Sequence, residues 1–230
     1  MLALVLNAAF AAPLSPVLPA GEGPTVQVAA AGGSEKRRYA DPYCNGPDCV
    51  AVQAVTGAGI ELEARFLPFL GGWLSARRYT DRTSAALLIG SGYGASIGLQ
   101  GEFSLGEGTR GLQLWAGADV GQSTDSDTPE DQLTHLDLEL GVAGRVGDPR
   151  DGGTAWLGVN VVPWSASAAE RGSDFVLDLV PALPGSVVLG GSLTSRPLDS
   201  VWSERGRAEC GVAGTIGYQT GARVWVGFGW

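Results

Sequence analysis

From Gly59 to Trp230, apolar side chains return at every second position. A period of two sends successive side chains to opposite faces and reads as β-strand. The clearest run covers residues 85–105, where Leu87, Ile89, Tyr93, Ala95, Ile97, Leu99, Phe103 and Leu105 are all odd. Ser96, Gln100, Glu102 and Ser104 fill even positions between them. The same pattern runs through 60–66, 112–120, 136–146, 155–161, 175–179 and 187–193, and a return strand is read at 73–79. Turns are expected at 106–110, at 147–153 and at Pro184-Gly185, with longer polar loops at 121–132, 163–173 and 195–207. From Tyr93 onward this makes eight strands of about nine to thirteen residues, near the length a tilted strand needs to cross a bilayer. The strands before Tyr93 raise the total to ten.

Residues 210–230 form the last pair of strands. Val212, Ile216 and Tyr218 share a face with Val224, Val226, Phe228 and Trp230, and the parity survives the turn at Gln219-Thr220-Gly221. A final strand of alternating apolar residues with a terminal aromatic resembles that of bacterial outer-membrane β-barrel proteins. The resemblance spans roughly the last 140 residues and is one of pattern. It implies a location in the bacterial outer membrane and a partner in the outer-membrane assembly machinery, which reads the terminal strand in that family. It assigns neither a ligand nor an oligomeric state.

Two architectures share the alternation. A soluble barrel turns its apolar face inward, whereas a membrane barrel turns it toward lipid and lines its lumen with the polar face. Here the polar face is rich in Gly and Ser, and its charges are of both signs. Glu61, Glu63, Arg65, Glu102, Asp119, Asp137, Glu139, Arg145, Asp178 and Arg223 would pair across a lumen. Phe103, Phe175, Tyr218, Phe228 and Trp230 fall near strand ends, as an interfacial aromatic girdle does. The expected fold is therefore an all-β, antiparallel, up-and-down transmembrane barrel of eight strands, or ten. One feature runs the other way. Counted back from a periplasmic C-terminus, the long loops fall in the periplasm, opposite to the usual arrangement.

The 230 residues suit one barrel, and no apolar run reaches the roughly 18 residues of a membrane helix. A net charge of -9 argues against a nucleic-acid surface. Residues 1–12 read as the remnant of a secretory signal peptide, with small residues at Ala9 and Ala11. Residues 13–57 read as an N-terminal linker without sustained period, and 58–230 as the barrel. Cys44 and Cys49 bracket a turn-forming Asn-Gly-Pro-Asp and would close a small disulfide loop in an oxidising compartment. No metal centre is expected, because that pair lacks two further ligands. Cys210 sits on the apolar side of its strand.

Catalytic signals are sparse. His135 and Asp137 share a strand face, which allows a base and its orienting carboxylate. A rim histidine is the plainer reading, and the paired carboxylates Glu61/Glu63 and Asp137/Glu139 fit a lumen network. The acidic stretch 125–131 lacks the spacing of an EF-hand loop. Gly90-Ser91-Gly92-Tyr93-Gly94 precedes no helix and is no phosphate loop. The expectation is an outer-membrane barrel, structural or surface-interacting, with no catalysis and no cofactor. The alternatives are a barrel enzyme acting on lipid or peptide, and a secreted or periplasmic soluble barrel that binds an apolar ligand.

Overall fold

The computed structural model describes residues 13–18, 25–40, 50–83, 88–105, 109–129, 132–149, 152–171, 174–180, 185–195, 198–200 and 203–230. Its strands are β1 (Thr25–Ala40), β2 (Val50–Leu67), β3 (Leu70–Thr83), β4 (Leu88–Leu105), β5 (Arg110–Asp125) and β6 (Gln132–Gly147). They continue as β7 (Gly152–Arg171), β8 (Asp174–Val180), β9 (Gly185–Thr194), β10 (Leu198–Ser200), β11 (Ser203–Gly217) and β12 (Gln219–Gly229). All neighbours are antiparallel. β12 pairs β1 from Arg37↔Gln219 to Gln27↔Gly229, which closes the sheet on itself. Backbone bonds between Val26 and Trp230 extend the seam to the last residue.

β8, β9 and β10 follow one another along a single lane of the wall. β7 pairs β8 with its far half and β9 with its near half, and β11 pairs both β9 and β10. The barrel therefore has ten strands, the larger of the two expected numbers and not eight. Several segments differ from the sequence reading. Of the stretches read as loop, residues 121–125 belong to β5, 198–200 form β10 and 203–207 belong to β11. Gln219-Thr220-Gly221 is not a turn but the start of β12, paired with Arg37, Lys36 and Glu35 of β1. β1 and the start of β2 come from the stretch read as linker. Residues 163–171 are not loop but the far half of β7. The hairpin expected at Pro184-Gly185 is absent as well: Gly185 starts β9 and pairs with Val161 in the same lane as β8, while Pro184 lies outside the described residues.

That last correction, with the shortening of the expected 195–207 loop to a connection at 201–202, resolves the conflict over sidedness. Removing one lane reverses the assignment of every connection upstream of it. The end that holds Trp230 and the start of β1 carries the connections 68–69, 106–109, 148–151 and 201–202. The opposite end carries 41–49, 84–87, 126–131, 172–173 and residue 218. The described part of the acidic stretch, residues 125–129, thus lies at the end opposite the chain's last residue.

The alternation sorts side chains as a membrane barrel does. Ile60, Leu157, Leu193 and Val226 point outward and are 61 to 65% exposed, whereas Glu61, Glu63, Asp119 and Glu139 point inward and are at most 1% exposed. A soluble barrel would reverse these values. Cys210 is also outward and free. Cys44 and Cys49, like residues 1–12, lie outside the described residues.

Candidate functional site: the lumen

The lumen is organised in layers. Four inward tryptophans, Trp73, Trp115, Trp156 and Trp225, are buried in one apolar cluster with Ala29, Ala31, Ala143, Val188 and Ala213. Each stands directly opposite a glycine of a neighbouring strand: Trp73 with Gly98, Trp115 with Gly141, Trp156 with Gly190 and Trp225 with Gly211. The indole lies over that glycine, and a Cβ there would overlap the ring. Small residue and large ring alternate around the barrel, so a narrow lumen is filled without strain.

Residues 13–18 occupy the centre of this collar, and all six are buried. Leu14 and Val17 belong to the tryptophan cluster. The backbone N–H of Leu18 donates to Glu102 (3.3 Å), that of Leu14 to Glu61 (2.7 Å), and Arg223 donates to the carbonyl of Pro13 (2.5 Å). Glu102 lies three residues from the end of β4, while Glu61 and Arg223 lie six from the ends of β2 and β12. The segment therefore enters at the Trp230 end, with Leu18 near the mouth and Pro13 deeper. The N–H groups of Leu14 and Leu18 and the carbonyl of Pro13, which would otherwise be orphaned in a dry interior, are thus met by lumen side chains. Nothing in the sequence of this short segment signals that position. The acidic groups that hold it were legible, but not what they hold.

Charged and amide groups fill the rest. Arg145 pairs with Glu102 (2.6 Å) near the mouth and also donates to the Gly147 carbonyl. Gln27 donates to Glu209 (3.0 Å), and Arg65 to the Thr25 hydroxyl (3.3 Å). Glu139 accepts from Asn160 (2.7 Å) and Gln219 (2.9 Å). Farther from the mouth, Arg77 grips Asp119 with both terminal nitrogens (2.6 and 2.7 Å). His135 Nε2 lies 3.1 Å from the same carboxylate, and Asp137 accepts from Ser165 (2.6 Å).

The expected lumen residues thus fall into separate groups. Glu102 meets Arg145, Glu61 and Arg223 meet the central segment, and Asp119 and Asp137 flank His135. Asp178 lies in β8, and its side chain is outside those described. Arg77 was missed, although Trp73, Ser75, Arg77 and Tyr79 share one parity and all are buried. His135 is not a rim residue. It is 3% exposed, and its close carboxylate is Asp119 on the neighbouring strand. Among the girdle residues, Phe103 and Trp230 are outward and exposed at the Trp230 end. Phe228 is half-buried, with its ring 6.1 Å from that of Trp230. Tyr218 is half-buried at the opposite end, and the Phe175 side chain is outside those described. Tyr93, outward near that opposite end, lies under the Arg78 guanidinium at 5.8 Å.

No family model and no curated protein matches this chain. Solved structures do. The translocator domain of the autotransporter NalP from Neisseria meningitidis aligns at 11% identity over 92% of this chain and 89% of that one, with a TM-score of 0.53. The transport unit of the autotransporter AIDA-I from Escherichia coli gives 10% identity, 90% of each chain and a TM-score of 0.41. An outer-membrane channel from Pseudomonas putida F1 gives 10% identity, 98% of each chain and 0.40. Of these three, only the first exceeds 0.5, and at such identity it speaks to the fold.

Proposed function

We propose that this chain is a bacterial outer-membrane barrel with a closed lumen, structural or surface-interacting, and without catalytic activity. One observation carries the reading: the interior is packed by the tryptophan collar and by residues 13–18 held within it. An open channel needs a continuous wet path, and a lipid- or peptide-processing enzyme needs its base to reach substrate. His135, at 3% exposure and engaged with Asp119, offers no such reach. The outward apolar wall and the similarity of fold to a translocator barrel support the outer membrane as its location. In this reading the Trp230 end faces the periplasm and the longer connections face outward. The assembly machinery would engage β12 before β1 covers it.

Planar-bilayer recording of the refolded, unmodified chain tests the proposal. The expected trace is flat, with no unitary steps, from protein that migrates faster unboiled than boiled in detergent. Stable conductance steps from the same sample would overturn the closed-lumen reading. Recovery of the expressed protein in the soluble fraction without detergent would overturn the location.

A further inference from the structure

Asp119, His135 and Asp137 lie on two adjacent rungs of β5 and β6, with Asp119 opposite Asp137 and Gly121 opposite His135. Each offers one oxygen or nitrogen, and these atoms are all within 4.8 Å of one another. All three side chains are at most 3% exposed. Paired strands hold such a set more firmly than loops do.

His135 Nε2 faces Asp119, but Nδ1 has no hydrogen-bond partner among the described residues. A ring that donates from Nε2 leaves a bare lone pair on Nδ1, and a ring protonated on Nδ1 leaves a buried N–H without an acceptor. Either state leaves a buried group unsatisfied at Nδ1, and an ion on Nε2 would select the second, with the proton on Nδ1. Charge favours a cation here. Asp119, Asp137 and Arg77 sum to one negative charge while the imidazole is neutral. We infer that Asp119, His135 and Asp137 form a binding site for a divalent transition-metal ion of the zinc class.

The donor chemistry sets the class. One imidazole and two carboxylates suit zinc, copper or nickel better than calcium or magnesium, which prefer all-oxygen shells. Two ligands on a tetrahedral zinc at ~2.0–2.2 Å sit roughly 3.3 Å apart. The 3.1 Å between His135 Nε2 and Asp119 Oδ2 needs little adjustment to admit an ion. Supporting groups are in place, since Ser165 holds Asp137 and Arg77 holds Asp119. Three protein ligands leave a position for water. Arg77 draws electron density from Asp119, so the ion is held less tightly than in a site without it. Tyr79 and Ser123, bonded at 3.5 Å and buried, lie beside the cluster, so the ion is taken up most readily while the barrel folds.

The test uses the full chain folded in detergent, without a histidine tag and with Cys44, Cys49 and Cys210 changed to serine. Zinc is supplied during refolding or added afterwards, and bound metal is measured by calorimetry and elemental analysis after gel filtration. One zinc per chain is expected, with affinity lowered at least tenfold in His135→Asn and in Asp137→Asn. Asp127→Asn, in the exposed acidic stretch, should bind as the parent does. Unboiled gel migration establishes that each variant is folded. Should neither site variant fold, copper(II) substitution of the parent decides, because His135 is the chain's single histidine. Nitrogen coupling from imidazole in the electron paramagnetic resonance spectrum then assigns the ligand without mutation. Failure to bind zinc under either regime, unchanged binding in folded His135→Asn, or copper without imidazole coupling would overturn the site.

Discussion

Trp115 and Gly141 show how single residues fix this interior. The indole fills the space that a side chain at position 141 would need, so each of the pair presumes the other. Gly141→Ala forces the ring off its rotamer and should destabilise the barrel by about 1–3 kcal/mol. Gly144→Ala, three residues along the same strand, meets no atom nearer than 4.0 Å and should stay within about 0.5 kcal/mol of the parent. Guanidinium midpoints read by tryptophan fluorescence compare the two, and equal effects would refute the ring-on-glycine account. Arg77 and Asp119 make a second such pair, 1% and 0% exposed. Arg77→Ala strands a buried carboxylate and should lose about 3–5 kcal/mol, whereas Arg77→Met with Asp119→Leu should recover most of it. A double variant no better than the single would mean that the loss lies in packing. Arg77 was legible in principle from its parity with Trp73 and Ser75. What concealed it was Arg78, its outward neighbour: two consecutive arginines show no difference between the faces until the wall separates them.

Strands whose two faces differ in polarity were readable, and those whose faces do not were missed. In β1 the inward Ala29, Ala31 and Gly33 alternate with outward Ala30, Gly32 and Ser34, so no period two stands out. The inner residues are small for a reason that sequence does not reveal, since Leu14 and Val17 occupy the space before them. β7 was truncated for another reason. The register between β6 and β7 shifts between Leu138 and Leu140, and the parity of β7 changes across Val162-Pro163. Proline cannot donate to the ladder and belongs at such a bulge. The displaced parity hid residues 163–171, and with them the shared pairing of β8 and β9 along β7. At this scale the central segment makes the sharpest prediction. Deleting residues 13–18 removes the core of the collar but no wall strand. The truncated barrel should still migrate faster unboiled, and it should conduct in planar bilayers where the parent does not. A folded but electrically silent deletion would show that the tryptophans alone seal the lumen.

Seen as a whole, the wall has a belt without charge. One rung runs Ala58, Arg78, Tyr93, Gln122 and Thr134 around β2 to β6, all outward and mostly polar. The next outward rung toward Trp230 is Ile60, Ala76, Ala95, Val120 and Leu136, and no outward charge appears on these strands until Arg110, opposite Leu105 and Val146. On β5 the belt runs from Val120 to Leu112. Eight steps of ~3.3 Å, tilted by about 40°, span roughly 20 Å, near the apolar band of about 25 Å that membrane barrels present. Belt height and lumen content are linked, because the same alternation that places Leu112, Leu114 and Val120 outside places Gln113, Trp115 and Asp119 inside. Depth therefore decides the cost of an outward charge. Leu140→Arg, at mid-belt, should lower folding free energy into lipid vesicles by about 2–4 kcal/mol, while Thr134→Arg, on the polar rung, should change it by about 0–1 kcal/mol. In detergent micelles, whose thickness adapts, the gap should narrow. Equal losses in vesicles would mean that the apolar wall does not face a bilayer of fixed thickness, and the belt would then need another apolar partner to cover it.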